Sequence, residues 1–177
     1  MRAMDNSTLD DLLSRLRNRF YGKYRGTVTD VDPQTCRIKA TVPAVLGDTP
    51  TGWCMPCVPY AGPKVGIAFL PEPGSGVWIE FEGGDVSYPI WVGGYWRQGE
   101  VPDGVDADVK VIVTAAAGSS QRLALVFDNT QPSLAVTDAN QNSARLDSSG
   151  ITLARGSQQV VVSDSAVSVN NGALEVQ

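Results

Sequence analysis

The sequence predicts an all-β protein in three parts: an N-terminal helix, a small closed barrel, and a C-terminal β-helix or β-prism wound from several identical chains. Three observations lead there. The last third counts in eights, with Asn140, Ser148, Gly156, Asp164 and Gly172 one octad apart and Pro132 extending the row backward. All are turn formers, and strand-like runs such as Gly150–Arg155 and Gln159–Ser163 lie between them. A fixed short period of strand plus turn marks a stacked β architecture. Before it, residues 21–97 hold five or six short strand-like runs cut apart by Gly and Pro. Only residues 7–20 space their apolar side chains by three and four, as a helix does.

Composition narrows what such a chain does. It has 177 residues, enough for one or two small domains. No run approaches the roughly 18 apolar residues needed to cross a bilayer. Asp10 and Asp11 interrupt any signal-peptide core, so synthesis in the cytoplasm as a soluble chain is expected. Lys and Arg total 14 against 19 Asp and Glu, a net charge of -5. After residue 100 there are 4 basic and 8 acidic side chains. Binding a phosphate backbone needs the opposite sign, so nucleic acid is not an expected partner.

Histidine is absent. That removes the commonest general base and metal ligand, and no catalytic, metal or cofactor-binding residue is assigned. Cys36, Cys54 and Cys57 are too few for a structural zinc. Cys54-Met-Pro-Cys57 has redox-motif spacing, but its neighbours Trp53, Pro56, Val58 and Pro59 read as strand and turn. The three cysteines are expected to be small buried hydrophobes.

In the N-terminal segment, residues 1–20, Ser7 and Thr8 can cap a helix whose first turn holds Asp10 and Asp11, where the helix dipole favours negative charge. Leu9, Leu12, Leu13, Leu16 and Phe20 form one stripe. It either packs on the chain's own next domain or docks on a partner.

The barrel is assigned to residues 21–97. Tyr24–Val31 is a strand ended by Asp32-Pro33-Gln34-Thr35, a turn because proline presets φ. The return strand alternates, with Cys36, Ile38, Ala40 and Val42 on one face and Arg37, Lys39 and Thr41 on the other. Further strands are expected at Gly52–Pro59, Lys64–Leu70, Val77–Glu82 and Tyr88–Val92, with Val77, Ile79 and Phe81 pointing inward. This many short strands in so few residues fits a barrel of OB type.

Residues 98–110 carry Gly99, Pro102, Gly104 and four acidic side chains between Glu100 and Asp108, and read as a linker. Residues 111–177 form the octad region, with offset strands at Leu123–Phe127 and Leu134–Val136 before the octads settle. Its turns want Gly, Asn or Asp, which tolerate φ > 0. Ile151, Leu153, Val161, Val167 and Val169 are the expected core between the wound chains. Burying these five contributes on the order of 10 kcal/mol per chain before ordering entropy. One strand per octad also implies that each strand bonds to neighbours from other chains, leaving few open edges.

The stretch Trp53-Cys54-Met55-Pro56-Cys57-Val58-Pro59-Tyr60-Ala61-Gly62-Pro63 resembles the centre of the phage baseplate assembly protein V family. So does Pro73-Gly74-Ser75-Gly76-Val77-Trp78-Ile79-Glu80-Phe81-Glu82-Gly83-Gly84-Asp85, running on through Tyr88-Pro89-Ile90-Trp91-Val92-Gly93-Gly94. The likeness covers about residues 20–100. These proteins are central spikes of contractile tails, and their OB domain is shared with the VgrG spikes of type VI secretion. The resemblance implies a homotrimer in the tail baseplate of a virion or similar extracellular particle. It implies hub and baseplate proteins as partners and transient contact with a target outer membrane, pierced on sheath contraction. Some family tips bind iron through paired histidines, which this chain lacks. Some relatives insert a lysozyme domain after the barrel, and residues 98–110 leave no room for one. A separate tip-capping protein is expected, because the last turn is at Gly172 and the sequence stops at Gln177.

Two other functions suit parts of this sequence. An OB-type oligosaccharide- or ligand-binding module on a β-solenoid stalk would use aromatics among Trp78, Tyr88, Trp91, Tyr95 and Trp96. The expectation is that these fill cores instead. A glycosidase would need carboxylates opposed across a cleft, whereas Glu80 and Glu82 are read as side by side on one strand. Ser148 and Ser149 have no histidine to activate them.

Overall fold

The computed structural model describes residue 13, residues 18–115 and residues 119–177. The chain divides between residues 99 and 100 into two compact units.

The first unit is a barrel. Its strands are β1 (Tyr24–Asp32), β2 (Arg37–Thr41), β3 (Met55–Pro56), β4 (Ala61–Gly62), β5 (Val65–Gly66), β6 (Gly76–Phe81) and β7 (Pro89–Tyr95), with one helical turn, α1 (Pro43–Leu46), after β2. Five of them form one sheet in the order β2-β1-β6-β7-β3. An antiparallel bridge from Ile38 to Cys54, at the entry to β3, returns the sheet to β2 and closes it. Register shifts in β1 at Val28/Asp30 and between β6 and β7 at Trp78/Ile79 supply the added twist that closure needs.

Strict alternation puts Ile38, Ala40 and Val42 in the core opposite Val77, Ile79 and Phe81, with Val28, Cys54 and Trp91 completing it. The Trp91 indole N–H donates to the Cys36 carbonyl at 3.3 Å. The Asp32 carboxylate accepts from the Gln34 N–H and the Thr35 hydroxyl, and so organises the β1–β2 turn.

Several expectations change here. Of Gly52–Pro59 only Met55–Pro56 is strand, and of Lys64–Leu70 only Val65–Gly66. Val65–Gly66 pairs with Ala61–Gly62 as a separate two-stranded hairpin outside the barrel. Five strands already close the barrel, so Tyr60, Val65, Ile67 and Phe69 have nothing above them and stay exposed. The cysteines also differ: Cys54 is buried, Cys36 partly so, and Cys57 exposed.

Leu9, Leu12 and Leu16 of the expected stripe lie outside the described residues. Leu13 is helical and half-exposed, and Phe20 lies in coil. Its ring leaves the stripe and meets Tyr24 at 6.3 Å and Phe81 at 6.4 Å, over the barrel core. The Phe20 N–H donates to the Gly84 carbonyl at 2.8 Å, while Arg19 pairs with Asp85 at 3.2 Å. Gly84 permits this approach. Its φ is +77°, and a Cβ there would lie 3.0 Å from the Phe20 nitrogen and 3.1 Å from the Arg19 Cβ. Gly84→Ala is therefore expected to cost about 1–3 kcal/mol through backbone strain and loss of the residue 19–21 contacts. A melting curve of the purified variant checks this, and an unchanged midpoint would refute it.

The second unit is one eight-stranded antiparallel sheet whose strands follow chain order. They are β8 (Val109–Ala115), β9 (Arg122–Asp128), β10 (Ser133–Asp138), β11 (Asn142–Asp147), β12 (Gly150–Arg155), β13 (Gln158–Val162), β14 (Val167–Val169) and β15 (Leu174–Val176). β8 starts inside the expected linker. Strands β9 to β14 are paired on both sides within their own chain. This corrects the expectation of bonding between chains. Short hairpins lay consecutive strands side by side, so the ladder is closed locally before any second chain arrives.

Asn140, Ser148, Gly156, Asp164 and Gly172 all fall in turns or bends. Only Gly156 and Gly172 of the five use positive φ, and the other left-handed residues here are Gln141, Gly150, Asn170 and Asn171. Three of the remaining turns are organised by aspartates at strand ends. Asp128 accepts from the Thr130 N–H, Asp138 from the N–H groups of Asn140 and Asn142, and Asp147 from the N–H and hydroxyl of Ser149.

These hydrogen bonds favour the charged carboxylate. The pKa values of Asp128 and Asp138 are lowered chiefly by side-chain bonds from Thr130 and Asn142. Asp147, bonded first by the Ser149 hydroxyl and then by Arg145, is lowered from 3.8 to about 2. A depressed folded pKa contributes stability above the unfolded value that is lost as pH falls through the folded one. The sheet is thus expected to weaken between about pH 4 and pH 2. Asp147→Asn should flatten that slope in melting curves across this range, and an identical slope would remove Asp147 from the account.

Candidate functional site

Residues directly paired across an antiparallel ladder share a face. Following the pairs across the second unit produces two continuous rows on one face. One runs Ile112, Leu125, Val136, Ala144, Leu153, Val160, Val169, Leu174. Beside it runs Lys110, Phe127, Leu134, Leu146, Ile151, Val162, Val167, Val176. Apart from Lys110, every member is apolar. Within one chain most of them are open to solvent, with Leu153 at 54% and Leu174 at 60% exposure. An apolar surface that runs unbroken through eight strands is far from the scattered exposure of ordinary soluble surfaces and marks a place where protein meets protein.

The opposite face has a different character. Its central row reads Val111, Val126, Ala135, Arg145, Thr152, Val161, Ser168, Glu175. It turns polar toward β15, and Arg145 forms an ion pair with Asp147 there.

Of the expected core residues, Ile151, Leu153, Val167 and Val169 lie on the apolar face. Val161 does not: it pairs with Thr152 and Ser168 on the other face. The cause is parity. Leu153 pairs with Val160 and Val160 with Val169, so each of these hairpins matches an odd-numbered residue to an even-numbered one. Residues one octad apart thus face opposite ways, and residues two octads apart face the same way. Val160, Val162, Leu146, Leu174 and Val176 were not among the expected residues. The Val-Val-Val run at 160–162 held the signal, since the outer two share a face that the middle one cannot.

The barrel holds no comparable site. Glu80 is ion-paired with Lys23, and Glu82 has left the strand for a 3-10 turn, so the two do not sit side by side on one strand. Trp91 is core, while Trp78 and Tyr95 pack together beneath the Arg25 guanidinium. Tyr88 and Trp96 are exposed. The Cys54 thiol, its pKa raised by burial, points at the Thr51 hydroxyl 3.2 Å away and not toward Cys57. Among the described residues no helix is long and apolar enough to cross a membrane.

A closed five-stranded barrel followed by a meander with one apolar face defines an assembly component, whose working surface is an area and not a pocket. Two family models match the chain on these same two units. Residues 24–96 match the type VI secretion system and phage-baseplate injector OB domain, and residues 111–175 match the phage baseplate V C-terminal trimerisation domain. The chain belongs to the phage baseplate V family. This carries a spike-type structural role in a phage or type VI secretion machine, and the trimerisation domain supports homo-oligomerisation. No curated protein is similar enough to be set beside it.

Proposed function

We propose that this chain is the trimeric central spike of a contractile tail or related injection machine, seated in the hub and driven into the target envelope when the sheath contracts. The continuous apolar face carries the reading, because it lies in the segment that matches a trimerisation domain. Three such sheets bring these faces together around one axis as a triangular prism. Each chain supplies one wall, already hydrogen-bonded along its length, and the apolar rows fill the interior. Eight strands at about 4.8 Å make a needle of roughly 35 Å. Such a prism resists buckling because strand pairing and core packing act together, and it needs no refolding at the target.

The role is mechanical and not catalytic. The acidic balance disfavours nucleic acid as a partner. The barrel anchors the needle to hub and baseplate proteins, with the exposed Tyr60–Phe69 hairpin as one contact. Contact with the target outer membrane is transient. The test is electron microscopy of contracted particles that carry a gold-labelled C-terminal tag on this chain. Gold at the distal end of the tube is expected. Gold along the sheath, or an absence of the chain from particles, would contradict the assignment.

A further inference from the structure

The hairpins place the turns of the second unit in two rows along its opposite edges. One edge carries the turns β10–β11, β12–β13 and β14–β15, and the other carries β9–β10, β11–β12 and β13–β14. From β11 onward the charged side chains are Arg145, Asp147, Arg155, Asp164 and Glu175. Arg145 and Asp147 pair with each other within the chain. Arg155, at the first edge, donates to the Asn142 side-chain oxygen at 3.4 Å, a neutral partner at long range, and to no carboxylate among the described residues. Asp164 sits in the bend of the second edge, and the hydrogen bonds of that turn are made by Ser163 instead. The two charges cannot meet within one chain. The length of β13, five residues, separates them, about 16 Å at 3.3 Å per residue.

We infer that Arg155 of one copy pairs with Asp164 of the next, forming a repeated ion-pair seam at each corner of the trimer. This rests on the prism reading above. Threefold rotation is a heterologous contact, so the first edge of each wall must lie against the second edge of its neighbour. Rotation about the axis leaves height unchanged. For strands running square to that axis, the β12–β13 turn of one wall therefore lies one strand spacing, about 4.8 Å, from the β13–β14 bend of the next. An arginine side chain spans that offset. The seam gives each wall a direction: a sheet placed the wrong way round would set like edges together and leave both charges unpaired.

Two experiments on the full-length chain test the seam. Arg155→Asp and Asp164→Arg are each expected to lower the melting temperature of the trimer by about 3 °C, the scale of an exposed pair. The double variant should recover most of the loss, and additive losses in it would overturn the pairing. The second experiment introduces Ser157→Cys with Ser165→Cys into a Cys36→Ser, Cys57→Ser background. Mild oxidation should give a covalently closed trimer on a non-reducing gel, and either new cysteine alone should give none. No cross-link in a protein whose mass is still that of three chains would overturn the seam while leaving the prism intact. A mass of one chain would overturn the prism itself.

Discussion

Val160→Asp is expected to dissociate the assembly, while Val161→Asp, one residue along, leaves it standing. Val160 is flanked across the ladder by Leu153 and Val169, and Val161 by Thr152 and Ser168. In a closed prism the first change puts three carboxylates into one dry layer, where an unpaired charge costs on the order of 4 kcal/mol or more per chain. The second change puts them on a polar wall facing water, where only a β-propensity loss of about 1 kcal/mol or less remains. Light scattering of the two variants at equal concentration reads the difference directly. Equal behaviour would mean that the apolar face is not the interior.

The second large effect is in the barrel. Trp91→Ala is expected to destabilise the first unit by about 3–5 kcal/mol, the usual cost of emptying a buried aromatic site. Trp91 is 5% exposed, and its indole N–H holds the Cys36 carbonyl, next to a left-handed Cys36 backbone at the entry to β2. Trp96→Ala, at a residue 65% exposed, serves as the control and should be near neutral. Denaturant melts followed by tryptophan fluorescence separate the two. A large loss at Trp96 with none at Trp91 would fit a stacking surface better than a core.

The parts of this fold readable from residues alone are those set by neighbours in the chain. Alternation assigned Ile38, Ala40 and Val42, and Val77, Ile79 and Phe81, to the inward face because a strand has period two. The octads located the turns because a hairpin needs special residues at its bend. What stayed hidden depends on pairing. Val161 lies on the other face because the face of a strand is inherited through the hairpin register, and these hairpins invert parity. Nor could the Lys64–Leu70 run reveal that β3, with two residues and a bridge from Cys54, completes the barrel without it. Phe20 continues a helical spacing on paper, but it lies in coil, where its N–H meets the carbonyl of Gly84. Of the candidate site, the alternate-octad residues Ile151, Leu153, Val167 and Val169 were accessible by period. The two rows they belong to were not, since those exist only once eight strands are laid side by side.

The most direct test is the solution mass of the purified full-length chain by light scattering, beside that of a chain ending near residue 110. The account predicts three copies for the first and weakened association for the second. A stable single copy at micromolar concentration, with its C-terminal sheet protected from hydrogen exchange, would contradict it.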